Sequence, residues 1–173
     1  MEPLSFERAR GEGSYRFSTA FGVCTLFWNE HGVSSLVFPT LEAGNAHALS
    51  SVPGWVAHVA SSVVRHLEGT LQDLRWVPLD DRALTPFARR VYAALREVPP
   101  GQRRSYGDLA ARVGARGAAR AVGGALGRNP WLLLVPCHRV VGAGNLGGFS
   151  GPGGLWTKRR LLELEGIALT ASG

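Results

Sequence analysis

Cys137 and His138 stand side by side in Val135-Pro136-Cys137-His138-Arg139-Val140-Val141, between two apolar runs. The chemistry open to such a pair is nucleophilic. The attacking species is the thiolate, and a free cysteine with a pKa of about 8.5 needs a base to lose its proton near neutrality. The neighbouring imidazole is the candidate. Consecutive side chains of an extended chain point to opposite sides, so contact between the two needs a tight turn or an intervening water. Leu132 to Val135 reads as a buried strand leading into the pair, and a glycine-dense stretch, Gly142 to Gly148, follows it. The competing reading is an inert core residue, since free cysteine is among the most buried residue types.

The elements that must hold this pair lie in a chain of 173 residues and 18.5 kDa, enough for one domain or two small ones to bury a core without disulfides. Cys24 and Cys137 are 113 positions apart and form no metal-ligand spacing. With no apolar leader at the N-terminus, a reducing cytoplasm is the expected compartment, and no stretch is apolar enough to span a membrane.

Charge divides the chain. Residues 1–83 hold 6 arginines against 9 acids, a balance of −3, whereas residues 84–173 hold 13 basic residues against 4 acids, a balance of +9. A basic half suggests contact with nucleic-acid phosphates. Arginine-favouring codon bias explains part of the excess, because Lys158 is the sole lysine.

The first half alternates as a sheet does. Tyr15 to Ala20, Val23 to Trp28 and Val33 to Phe38 are expected strands, with Asn29-Glu30-His31-Gly32 turning between the last two. Trp55, Val59, Val63 and Leu67 then recur every fourth residue, predicting an amphipathic helix closed by Gly69, and Leu71 to Leu79 reads as another extended segment. His47, His58 and His66 fall in or near the helix and read as surface or core histidines, and Cys24 reads as a packing residue. No residue of this half reads as chemistry.

In the second half, Thr85-Pro86 supplies an N-cap and a proline at the first helical position, and Phe87, Val91 and Leu95 trace one apolar face towards Val98. Ser105 caps a second helix running to Val113, Gly114 breaks it, and a third runs from about Gly117 to Leu126, in a helix-turn-helix arrangement. The third helix is nearly bare. Ala118, Ala119, Ala121, Gly123, Gly124 and Ala125 leave only Arg120 and Arg128 as long side chains. Each interior glycine costs about 1 kcal/mol against alanine, so Gly123-Gly124 indicates a close approach, either by a neighbouring element or by DNA. Readers of the major groove line a helix with Asn, Gln, Arg or Lys, and a small-faced helix with one protruding arginine suits the minor groove better. Such a protein could flip a base out of the duplex into a pocket at Cys137.

Several motifs now fall in one order: Ser105-Tyr106, Arg120-Ala121-Val122-Gly123, Asn129-Pro130, Pro136-Cys137-His138-Arg139-Val140, Lys158 with Leu161-Leu162, and Glu165-Gly166. From Thr85 to Gly166 the chain resembles the O6-alkylguanine-DNA alkyltransferases, suicide proteins that repair alkylated guanine. The resemblance implies an α/β protein with two parts: residues 1–83, a ribonuclease-H-like small antiparallel sheet with a helix, and residues 84–173, a winged helix-turn-helix-like domain that binds DNA and carries the acceptor cysteine. It implies that Cys137 attacks the alkyl carbon of O6-alkylguanine, with O4-alkylthymine as a further substrate, and keeps the alkyl group as a thioether. His138 would be the base, through the water that bridges the pair in the family, Glu165 would orient the imidazole, and Asn129 would hold the turn. Arg120 would enter the base stack, with Ala119, Gly123, Leu126 and Arg128 about it on the DNA. Tyr106 would touch the flipped nucleotide, the carbonyls of Cys137 and Val140 would accept from the guanine amino group, and the Ser150 N–H would donate to O6. Lys158 and Phe149 would complete the pocket. No cofactor, metal or obligatory protein partner is implied, and a monomer acting on duplex DNA that contains alkylated guanine is expected.

The chain departs from the family pattern twice. Phe149 stands where a tyrosine is usual, and losing one neutral hydrogen bond to the departing O6 would cost about 0.5–1.5 kcal/mol, roughly tenfold in rate. Gly151 to Thr157 is about two residues longer than the usual loop, with Trp156 as a lid or a packing residue. The alternative function is a non-enzymatic lesion sensor of the same family, whose relatives lack the cysteine. A transcription factor is a third reading, disfavoured by the bare helix.

Overall fold

Period-two alternation in the first part of the chain builds a sheet. In the computed structural model, which describes residues 13–39 and 52–169, Gly13–Thr19 (β1), Gly22–Asn29 (β2) and Gly32–Val37 (β3) form an antiparallel meander in that order. Tyr15 and Phe17 lie opposite Leu26 and Cys24, and Leu26 lies opposite Leu36, so one face carries an apolar row across all three strands. Gly32 opens β3 at φ 130°, where a Cβ would also come within 2.6 Å of the Pro78 carbonyl oxygen.

Helix α1, Gly54–Leu67, covers that face. Its buried stripe is Val56, Val59, Val63 and Leu67, which starts one residue later than the fourfold spacing suggests, because Trp55 is 37 % exposed. Gly69, at φ 95°, closes the helix as expected. His47 lies outside the described residues. Leu71 to Leu79 is not a strand: Asp73 turns the chain by accepting from the Arg75 N–H at 3.0 Å, and its pairing with the sheet is a single isolated bridge, Val33 to Leu79.

Local caps set the next helices. Thr85 caps α2, Pro86–Arg96, by accepting from the Ala88 N–H, and Ser105 forms a reciprocal capping box with Asp108 at the start of α3, Tyr106–Arg112. Helix α4, Ala119–Leu126, follows a turn in which Gly114 and Gly117 take positive φ, and α5, Gly154–Leu164, ends the described fold. Arg104–Ser105 (β4) and Val140–Val141 (β5) pair in parallel.

The run from Leu132 to Val135 is as buried as its composition indicates, but it forms a turn. Leu133 takes φ 73° and the Val135 N–H donates to the Trp131 carbonyl at 2.8 Å. An unbroken apolar run reports burial and not backbone geometry, which is why it reads as a strand in sequence.

The two halves share one core, in which Val33, Leu36 and Val63 pack in the same cluster as Leu95, Leu109 and Trp131. The outer edge of β3 is covered at Val33 by Pro78 to Asp80 and further along by the second half. The Leu36 N–H donates to the Pro130 carbonyl at 2.9 Å, and the Trp131 indole donates to the Val33 carbonyl at 2.7 Å.

Candidate active site

The site begins with a clasp. The Asn129 side-chain amide donates to the Val135 carbonyl at 2.8 Å, and its oxygen accepts from the Trp131 N–H at 2.9 Å, tying together both ends of the Leu132–Val135 turn. This clasp delivers Pro136 into a single 3₁₀ turn, Cys137–Arg139. A tight turn thus carries Cys137 and His138, but it turns the two side chains to different partners.

Each residue of that turn faces a different partner. His138 is fully buried, and its Nε2 lies 2.9 Å from Glu165 Oε1, at the C-terminal end of α5. Arg139 donates to both carboxylate oxygens, Nε to Oε2 at 2.9 Å and Nη2 to Oε1 at 2.7 Å, and to the Val98 carbonyl at 2.6 Å. His66, from the end of α1, approaches the same Oε1 at 3.1 Å. Among the described residues His138 Nδ1 has no protein partner.

These contacts set the protonation states. Burial would raise the Glu165 carboxyl, but hydrogen bonds from His138, His66 and Arg139 outweigh it and hold the group far below the usual carboxylate range. An ionised Glu165 accepts only, so the His138 proton lies on Nε2 and the lone pair on Nδ1. Burial lowers the His138 pKa against the opposing pull of Glu165, which leaves a neutral imidazole near pH 7. Burial also pushes the Cys137 thiol up, with Asn129 and Lys158 pulling it partly back. The resting pair is thus a thiol beside a neutral base, not a pre-formed ion pair. His66, His138 and Glu165 converge, but Arg139 occupies both carboxylate oxygens, and no metal-binding group of three or more such side chains occurs among the described residues.

Cys137 lies at a cavity of about 550 Å³ lined also by Tyr106, Ala119, Arg120, Gly123, Leu126, Gly127, Gly148, Phe149 and Ser150. Helices α3 and α4 form one wall and the glycine-rich loop forms the other. Lys158 ties that loop down: its fully buried ammonium donates to the carbonyls of Val140 at 2.5 Å and Gly148 at 2.9 Å. The Tyr106 hydroxyl donates to the Gly148 carbonyl at 3.4 Å. Phe149 folds over Gly151, where a Cβ would come within 2.5 Å of its ring. On α4, a Cβ at Gly123 would meet Tyr106 at 3.8 Å and one at Gly124 would meet Arg128 at 3.8 Å, both ordinary contacts. Packing within the protein therefore does not require either glycine.

Of the residues singled out in the sequence, Cys137, Tyr106, Ala119, Arg120, Gly123, Leu126, Phe149 and Ser150 line the cavity together. His138, Glu165, Asn129, Val140 and Lys158 are buried behind it, and Arg128 is exposed beside a groove along β3. Sequence reasoning missed His66 and Arg139. A signal existed for His66, which lies three residues after Val63 on the buried stripe, and for Arg139, which stands inside the cysteine motif between apolar residues, but neither signal names Glu165 as the partner.

The site is thus a buried thiol on the wall of a cavity, followed in the chain by a buried imidazole held by a carboxylate, in the basic half of the sequence. Residues 86–167 match the family described as 6-O-methylguanine DNA methyltransferase, DNA binding domain. The methylated-DNA–protein-cysteine methyltransferase of Mycobacterium tuberculosis is 47 % identical over 114 residues, 65 % of this chain and 67 % of the relative. The one from Methanothermobacter thermautotrophicus is 37 % identical over 144 residues, 82 % of this chain and 78 % of the relative. Among solved structures, Mycobacterium tuberculosis OGT in complex with DNA superposes with a TM-score of 0.73 at 38 % identity, over 88 % of this chain and 92 % of that one. The O6-methylguanine-DNA methyltransferase of Pyrococcus kodakaraensis gives 0.64 at 27 % identity, over 89 % and 98 %. With identity at this level over most of both chains, the protein belongs to the methylated-DNA–protein-cysteine methyltransferase family.

Proposed function

We infer that this protein repairs DNA by moving an alkyl group from O6 of guanine to Cys137, one group per molecule. The observation that carries the reading is the cysteine turn: Cys137 faces the cavity while the next residue, His138, is held by Glu165 with its Nδ1 lone pair uncommitted. In the step proposed, the Cys137 thiol passes its proton to His138 Nδ1 through one water as the sulfur–carbon bond forms. The carbon–O6 bond breaks, its electron pair leaves with the guanine, and the imidazolium returns the proton to the departing base. Glu165 stabilises the imidazolium, and the thioether product has no route back to thiol.

Residues 84–173 act in this reading as a winged helix-turn-helix-like unit with α3 and α4 at the DNA, and residues 1–83 as a ribonuclease-H-like unit. Helix α4 enters the minor groove, Arg120 fills the gap left by the target nucleotide, and the flipped base stacks near Tyr106. Gly123, Ala119 and Leu126 let the backbone approach, and Arg128 neutralises phosphate. The Cys137 and Val140 carbonyls take the guanine amino group and the Ser150 N–H takes O6, with O4-alkylthymine as a further substrate. The protein acts as a monomer in the cytoplasm. A lesion sensor without chemistry fits less well, because Cys137, His138 and Glu165 are all retained.

The test uses Cys137→Ala. It should bind a duplex containing O6-methylguanine more tightly than the unmodified duplex, yet leave the lesion intact. Equal binding to both duplexes would remove lesion recognition from the proposal. Arg120→Ala should lose more activity on duplex than on single-stranded substrate, and equal losses would remove the flipping role.

A further inference from the structure

His66 comes from the half of the chain in which the sequence shows no chemistry, yet its ring is fully buried against Glu165. The Gln72 backbone N–H donates to its Nδ1 at 3.0 Å. A ring nitrogen that accepts carries no proton, so the proton of neutral His66 is on Nε2 and is donated to the carboxylate. Glu165 Oε1 thus receives His66 at 3.1 Å, His138 at 2.9 Å and Arg139 at 2.7 Å. These donors arrive from α1 on one side and from the cysteine turn on the other.

We propose that His66 is a positioning residue for alkyl transfer: by gripping Glu165 from the N-terminal half, it fixes the carboxylate that holds His138 as the Nε2–H tautomer. This rests on the reading of Cys137 as the alkyl acceptor. The chemistry of the place suits a neutral donor. A second cation beside Arg139 would add to the repulsion felt by the imidazolium forming on His138, and an apolar side chain would leave Glu165 oriented by Arg139 and His138 alone, with no donor from the N-terminal half. His66 is buried and is not among the residues lining the cavity, so its proposed effect passes through Glu165 and His138.

Two variants of the full chain separate positioning from packing. His66→Gln places an amide N–H where Nε2 was, and His66→Asn keeps a polar atom near Nδ1 but does not reach Glu165. Single-turnover methyl transfer from an O6-methylguanine duplex, with the protein varied in excess, separates the limiting rate from DNA affinity. His66→Asn should lower the limiting rate about tenfold with affinity unchanged, and His66→Gln should stay within about twofold of wild type. Equal losses in the two variants, or a wild-type rate in His66→Asn, would overturn the proposal. Nitrogen-15 spectra of the free wild-type protein decide the matter independently of any variant's folding: both His66 and His138 should carry their proton on Nε2, and a proton on Nδ1 of either ring overturns it. A wild type that accepts no methyl group overturns the functional reading instead, and the ring-nitrogen spectra still decide whether His66 and His138 both donate to Glu165 from Nε2.

Discussion

At the scale of single residues, the site is a neutral thiol–imidazole pair whose charge is kept one step back, on Glu165 and Arg139. Two neighbours tune it. Phe149 lines the cavity without a hydroxyl, so Phe149→Tyr is expected to accelerate methyl transfer by up to about tenfold, the worth of one neutral hydrogen bond, in a quench-flow comparison with wild type. An unchanged rate would mean that position 149 does not face the departing oxygen. Lys158 is the second. Burial lowers its pKa to about 8, against a smaller opposing pull from Cys137. Below pH 8 the ammonium is charged in both folded and unfolded chains, and the folded state bears the full cost of burying it. Between that pH and the ordinary value of 10.5 the unfolded chain holds more protons, so this contribution to stability rises with pH. The unfolding free energy of wild type relative to Lys158→Met should therefore climb by on the order of 3 kcal/mol across that window in urea titrations, and a flat difference would contradict the assignment. At this scale Cys137, His138 and Glu165 were legible because the motif places them, whereas the burial of Arg139 was not, since an arginine's fate depends on a carboxylate 26 positions away.

At the scale of elements, what is local was legible. Thr85-Pro86 and Ser105 with Asp108 start their helices where the sequence places them, because a cap is decided by residues within one turn. The Leu132–Val135 turn was read as a strand because its shape depends on the Asn129 clasp, which no apolar pattern reports. Helix α4 leaves the sharpest question. Gly124 is exposed with ordinary room around a Cβ, so Gly124→Ala should stabilise the isolated protein by up to about 1 kcal/mol, read by urea denaturation, while weakening its affinity for duplex DNA. Stabilisation with unchanged affinity would show that α4 does not meet DNA along that face.

At the scale of the molecule, the division by charge at residue 83 is visible in composition, but the interleaving of the halves is not. Pro130 and Trp131 bond to the β3 edge beside Leu79, and Glu165 is held by His66 from 99 positions away, distances at which periodicity carries no information. The consequence is that the sheet and α1 are part of the scaffold behind the cysteine. In the function proposed, the whole fold presents one thiol, that of Cys137, to one alkyl carbon. Incubated with excess duplex containing O6-methylguanine, the protein should gain the mass of a single methylene, and peptide mapping should place it on Cys137. An unmodified protein under saturating substrate, or a methyl group on any other residue, would contradict it.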